Sequence, residues 1–377
     1  MKSMPQEMEV WYLIPALRRE LANIFISDYS MSQRKISEIL GITESAISQY
    51  LRSKRGNELK FNIEQLWWNQ FVSSRDDMYG LSSSVIMPES VWQASGHLEG
   101  FTDPMVECAK CKRRFRADHL EDTTTCPECN GKLGEEKTFN LLFPVEMGSA
   151  VGGTTTAYLR GEVAQGMFVN FKNIVDSFHP KLPFGIAQIG KAFRNEINPR
   201  DFLFRVREFD LAEFEYFIKE EDWEKQFEYW RKEMWNWIEG IGLSRDRVHE
   251  LEVSPEDRAH YSRTTIDFEY DYPFGRKELY GLAYRTDYDL KKHMEHSKVN
   301  LEYLDEVEKK KFTPHVIEPT FGVGRTVLAV LCESYQEDEL GGEKRTYLKL
   351  ATSIAPVKVA VFPLLKNKPE LQKKARK

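Results

Sequence analysis

The chain has 377 residues, 41% of them hydrophobic and 30% charged, with a net charge of −6. That length suits two or three domains with a well-buried core; the acidic balance argues against wholesale wrapping of nucleic acid, and no apolar run approaches membrane-spanning length. The N-terminus lacks a signal-peptide apolar core, so the expected setting is cytoplasmic with no membrane partner. Five cysteines are present; in a reducing compartment the four that form CxxC pairs read as metal ligands, not disulfides.

Residues 1–57 form the first module. Ser32 caps a predicted helix carrying Ile36, Ile39 and Leu40. Gly41 breaks it, and Thr43 caps a second helix over Glu44–Leu51. Ser45, Ser48 and Gln49 face outward on that second helix, and Arg52, Lys54 and Arg55 follow where phosphates would be met. The stretch SQRKISEILGITESAISQYLRSKRG resembles the helix-turn-helix of prokaryotic transcription regulators. That resemblance implies DNA binding through Ser45, Ser48, Gln49 and Arg52. A packing bundle is the plainer reading of the same pattern.

Residues 58–350 carry nearly all the chemistry. Within them, about 105–132, lie Cys108-Ala-Lys-Cys111 and Cys126-Pro-Glu-Cys129. Each CxxC sets two thiolates on one turn, and two such turns close a tetrahedral Zn²⁺ site with no open position, hence a structural one. Cys332, alone in an apolar stretch, reads as a core residue.

Two further stations break ordinary patterning. Around Asn198-Pro199, a predicted strand–loop–strand carries Arg194, Glu196, Arg205, Arg207 and Glu208 between apolar runs. Arginine in such a place can grip a phosphate bidentately, and a nearby phenylalanine can stack on a base. In VIEPTFGVGRTVLAVL, Gly322 and Gly324 permit close approach, and Arg325 enters the first turn of an apolar helix, where an anionic partner is wanted. Residues 351–377 hold one predicted apolar strand, Val357–Phe362, and a basic tail.

Taken in order, LKFNIEQLWWNQFVSSRDDMYGLSSSVIMP, VWQASGHLEGFTDPMVEC, FRADHL, YLRGEVAQGMFVNFK, PFGIAQIGKAFRNEINPR, FRVREF, ELYGLAYRTDYDL and IEPTFGVGRTVLAVLCE resemble the catalytic core of class II glycyl-tRNA synthetases over about residues 59–365. The resemblance implies an α+β fold, an antiparallel sheet flanked by helices, with the zinc knuckle inserted and the small all-α module in front. It implies a homodimer across motif 1, and as ligands ATP, Mg²⁺, glycine and the acceptor end of tRNA(Gly). Arg194 and Arg325 are the implied catalytic pair. The implied ATP site comprises Arg194, Asn195, Glu196, Phe204, Arg205, Arg207, Glu208, Phe209, Glu278, Leu279, Gly322, Gly324 and Arg325. Glu278 and Glu318 are the implied Mg²⁺ ligands. By the same resemblance Glu162, Glu213 and Glu318 surround the glycine ammonium, Arg285 holds its carboxylate, Thr320 lines the pocket and Arg116 approaches the substrate.

The chain also departs from the family. The helix-turn-helix stands in place of the usual glycine-rich N-terminal piece. Gly161-Glu162-Val163 replaces Pro-Glu-Thr, and Thr320 replaces serine. Residues 351–377 match only the start of an anticodon-binding domain, so anticodon recognition is expected to lie outside this chain and adenylate formation is favoured over full charging. The alternative function is a DNA-binding regulator whose synthetase-like core senses glycine or ATP.

Overall fold

The structure, a computed structural model, describes residues 57–148, 153–365 and 368–375. The expected helix-turn-helix, with Ser45, Ser48, Gln49 and Arg52, lies outside them. The described chain opens with helix α1 (Asn57–Trp68) and a π-helical turn, Asn69–Ser73, then strand β1 (Met78–Gly80). Next come β2 (Ile86–Pro88), α2 (Glu89–Ala94) and α3 (His97–Gly100). β3 (Thr102–Glu107), β4 (Arg114–Arg116) and β5 (Lys137–Asn140) form a small sheet carrying the cysteines. β6 (Phe143–Met147) and β7 (Thr155–Leu159) precede α4 (Ala164–Phe178), β8 (Phe184–Phe193), β9 (Glu208–Ile218) and α5 (Trp223–Gly240). β10 (Val248–Glu252), β11 (Thr264–Tyr272), β12 (Gly275–Thr286), α6 (Tyr288–Ser297), the hairpin β13 (Tyr303–Asp305)–β14 (Lys310–Phe312), β15 (His315–Gly322) and α7 (Val323–Ser334) follow.

Seven of these strands make one sheet in the order β1-β8-β9-β15-β12-β11-β10, antiparallel except for β1 beside β8. Period-2 alternation sorts β9 onto two faces. Ala212, Phe214, Tyr216 and Ile218 point into the larger core, with Trp67 of α1, Trp230 and Trp237 of α5 and Leu328 and Ala329 of α7. Leu211 and Phe217 face the other way, towards Phe168 and Phe171 of α4 and Leu290 of α6. That second face also presents Glu213 and Glu215. Trp67 is buried, as a core helix requires.

Two expectations change. The charged station at Arg194–Arg207 is not a strand pair: β8 ends at Phe193 and β9 starts at Glu208, so these residues form the connecting loop, held by the Arg194 N–H to Arg207 C=O bond (3.0 Å) and a bridge between Arg200 and Arg205. Consecutive charges cannot alternate into a half-buried sheet. Val357–Phe362 is not a strand either. Val357, Val359, Val361 and Phe362 are exposed, and they pair with no strand among the described residues.

Candidate active site

One lateral row of the sheet sets the floor. Gln188 of β8 lies opposite Glu213 of β9, Glu213 opposite Thr320 of β15, Thr320 opposite Gly281 of β12, and Gly281 opposite Asp267 of β11. Two adjoining cavities sit over this face, on either side of Arg194, Leu211, Glu278 and Thr320, which line both.

The first cavity is lined by Arg194, Glu196, Phe204, Arg205, Phe209, Glu278, Leu279, Gly322, Gly324 and Arg325. Arg194 and Arg325, 131 positions apart in sequence order, thus face one space. Arg325 lies flat over Phe204 (4.4 Å) and pairs with Glu278 (3.0 Å). The same arginine holds the Glu278 carboxyl below the usual range, so it stays ionised. Glu196 is buried and takes Arg205 Nη1 at 3.2 Å. Gly324 is required by the loop above it, because a Cβ there would stand 3.3 Å from the Leu203 carbonyl oxygen.

Three residues of the expected nucleotide set lie off this lining. Asn195 donates its backbone N–H to the Leu141 carbonyl (2.7 Å). Arg207 uses its guanidinium on the Glu196 carbonyl (3.2 and 3.0 Å), bracing the loop. Glu208 is exposed and pairs with Lys191 (3.1 Å), because the first residue of β9 points away from the cavity.

The second cavity is lined by Glu162, Glu213, Glu318, Thr320, Asp267 and Tyr261, among others. Glu162 sits just before α4, where a helix N-terminus favours a carboxylate. Burial would raise its pKa, but His97 (3.2 Å) and Arg285 hold it well below the usual range. Gln165 Nε2 fixes it further at 2.9 Å. Glu213 accepts from the Thr320 hydroxyl (2.6 Å), while its other oxygen has no partner. Burial, with Glu162 nearby, pushes Glu213 up. Glu318 is pushed well above the carboxylate range by burial despite Arg285.

Arg285 differs from expectation. It is fully buried and absent from both linings; it forms a fork with Asp289 (2.8 and 2.7 Å) and reaches Glu318 (2.7 Å), beneath the Tyr261 ring at 3.6 Å. Three of its five N–H donors are taken in this way, so the guanidinium holds the pocket's carboxylates in place. Arg116 also differs: it is spent on Asp103 (2.9 Å) and Asp118 (2.6 Å) outside both cavities.

Several residues of this site were not foreseen. Glu215 is fully buried with neither oxygen partnered, and burial and Glu318 push it well above the carboxylate range. Its carboxylate groups with those of Glu213 and Glu318 within 4.8 Å. The available signal was a second glutamate, two residues on, along a strand face otherwise apolar. Asp267 is pushed to about 7 by burial and by Glu278 and Glu269. Asp289, Gln165 and His293 complete a hydrogen-bonded chain behind the pocket.

For metals, Glu278 offers an ionised hard donor and fits Mg²⁺. Glu318, the other expected ligand, lines the second cavity and lies 2.7 Å from Arg285. The four cysteine sulfurs lie within 4.8 Å of one another, with Cys108–Cys129 at 3.5 Å and Cys111–Cys126 at 3.8 Å. Four sulfurs at ~2.3 Å from one tetrahedral ion would stand about 3.8 Å apart. Gly131 leaves room for them, since a Cβ there would meet Cys108 Sγ at 3.1 Å and Cys129 Sγ at 3.2 Å.

Residues 153–335 match the tRNA synthetase class II core domain (G, H, P, S and T). The glycine–tRNA ligase of Streptomyces coelicolor is 45% identical over 346 residues, covering 85% of this chain and 75% of that protein. The chain belongs to the glycine–tRNA ligase family. Another member, from Caldanaerobacter subterraneus, is 42% identical over 340 residues, covering 83% of this chain and 74% of its own length. A solved Giardia lamblia prolyl-tRNA synthetase, in complex with prolyl-adenylate, shares the fold: TM-score 0.56, 17% identity, 85% of this chain and 53% of that one. The chain therefore spans about half the length of that synthetase. Within the glycine–tRNA ligase family, the class II sheet explains why motifs scattered over the sequence converge on one face.

Proposed function

We propose that the two cavities are the ATP and glycine sites of a glycine–tRNA ligase, and that chemistry occurs where they meet. The observation that carries this is Arg194, which lines both. A glycine carboxylate oxygen forms a bond to the α-phosphorus of ATP, and the bond from that phosphorus to pyrophosphate breaks. The terminal hydroxyl of tRNA(Gly) then takes the glycyl group and releases AMP. No protein nucleophile is needed; positioning and charge neutralisation supply the rate.

Arg194 holds the α-phosphate, where charge builds. Phe209 and Arg325 take the two faces of adenine, with Arg325 also near the γ-phosphate, and Glu196 accepts from the adenine amino group. Glu278 is the residue suited to Mg²⁺, which neutralises triphosphate oxygens when bound. Glu162, Glu213 and Glu318 receive the glycine ammonium. They also fill the volume a larger side chain would need, and a methyl against them would bury their carboxyl oxygens without partners. Thr320 narrows the same space. Arg285 acts behind them as the clamp on Glu318. The Cys108, Cys111, Cys126 and Cys129 knuckle holds structural Zn²⁺, and the protein is a homodimer through the α1–β1 region.

Glycine-dependent ATP–pyrophosphate exchange tests the reading. It predicts exchange with glycine and far less with alanine or serine. A chain that shows none, or accepts alanine equally, refutes it.

A further inference from the structure

The Arg194 guanidinium is held without any acid. Among the described residues no carboxylate pairs with it, whereas Arg325 has Glu278 and Arg285 has Asp289 and Glu318. Instead its Cζ lies 5.1 Å from the Phe101 ring and 5.4 Å from the Phe209 ring. Its Nε donates to the Gly161 carbonyl at 3.1 Å. Both terminal nitrogens are thereby left free for a ligand, on a side chain that two rings and one carbonyl keep from swinging.

Phe101 packs into the space left by glycine at residue 161. A Cβ on Gly161 would stand 3.0 Å from Phe101 Cε1 and 3.1 Å from Leu142 Cδ2, closer than ordinary packing. Phe101 is in turn seated against Met87, Trp92 and Leu142. Its backbone carbonyl takes the Leu141 N–H (3.0 Å), and the Leu141 carbonyl takes the Asn195 N–H next to Arg194. The ring, the glycine and the loop bearing Arg194 are thus joined by side-chain and backbone contacts at once.

We infer that Phe101, admitted by Gly161, is the positioning residue for Arg194: it holds the guanidinium by stacking, so that the arginine keeps its full charge and all its terminal donors for the phosphoryl group. A carboxylate partner would orient the arginine equally well but would neutralise it and compete with the phosphate. Ring faces orient a cation while leaving its edge free. The arrangement rests on the adenylation reading above, and it adds a residue outside the ATP lining to that reaction.

The test is a double-mutant cycle on glycine-dependent ATP–pyrophosphate exchange, with Phe101→Leu and Arg194→Lys singly and together. Phe101→Leu should lower kcat about tenfold with the KM for glycine little changed, and Phe101→Tyr should restore most of the rate. With lysine at 194 there is no planar guanidinium to stack and only a weaker cation–ring contact remains, so Phe101→Leu should cost clearly less than it does beside arginine. Gly161→Ala, which crowds the ring without removing it, should give a smaller loss in the same direction, and it serves if Phe101→Leu fails to fold. Equal losses from Phe101→Leu with arginine or lysine at 194 would show that the ring only packs, and would overturn the inference. Failure of Phe101→Tyr to recover the rate would overturn it too. A parent chain without exchange would remove the adenylation reading and this inference with it; a parent with exchange but no coupling removes the inference alone.

Discussion

The two cavities share a wall yet are built in opposite senses. The side proposed for the nucleotide presents arginines set against aromatic rings, with Glu196, Asp210 and Glu278 as its acids. The side proposed for glycine presents Glu162, Glu213 and Glu318, with Glu215 and Asp289 behind, gathered round the buried guanidinium of Arg285. On the proposed reading the first receives a highly charged anion and leaves the Arg194 terminal nitrogens free for it. The second receives an ammonium group and no side chain, and it holds acids at high density for that ligand.

The contrast breaks first at Arg285. Replacing it with alanine strands Asp289 and Glu318 in a dry site, a loss of about 3–5 kcal/mol in folding stability. Urea unfolding should show it directly; a change below ~1 kcal/mol would mean that these acids are neutral without the arginine. On the nucleotide side, Arg194→Ala should leave folding intact and slow exchange by about 10²–10³, or ~3–4 kcal/mol in the barrier. Parent-like exchange would end its assignment.

The third effect is on pH. Burial holds the His293 imidazole at about 4, against an ordinary 6.5, and Gln165 Oε1 lies 2.7 Å from its Nε2. The unfolded chain binds a proton there that the folded chain refuses. The stability of neutral burial is therefore present above pH 6.5 and is lost as pH falls towards 4, by about 3 kcal/mol in all. His293→Gln should flatten that limb in urea titrations at several pH values, and an unchanged slope would contradict the assignment. The smallest effect is at Thr320. Thr320→Val removes the hydroxyl that satisfies Glu213 and should raise the KM for glycine by about 1–2 kcal/mol equivalent. Thr320→Ser should keep it near the parent value.

How much of this was legible in the sequence follows from how each residue finds its partners. Arg194, Glu196, Phe209, Gly322, Gly324 and Arg325 sit in short contiguous runs whose composition is odd for a strand or a helix, a weak signal singly that the ordered set of motifs turns into a family resemblance. The four cysteines do so by spacing. Glu215 does not, because an alternating FEYF segment reads as an ordinary strand until β15 and β12 bring Glu318 and Arg285 against it. Asp267 is likewise a plain strand acid until it stands in a row with Thr320 and Glu213. Arg285 was assigned to the substrate from the family pattern. The i, i+4 spacing to Asp289, across the turn from β12 into α6, was the available sign that it is spent internally. Glu208 is placed by simpler means: at the start of β9 it stands beside Lys191, off the cavity lining.

The claim that matters most is that the two cavities are one continuous site joined at Arg194. A non-hydrolysable glycyl-adenylate analogue, the glycylsulfamoyl ester of adenosine, is long enough to occupy both. Inhibition kinetics of the exchange reaction should show it competing with ATP and with glycine alike, and binding far more tightly than either. An analogue that competes with one substrate and leaves the other's binding untouched would contradict the account.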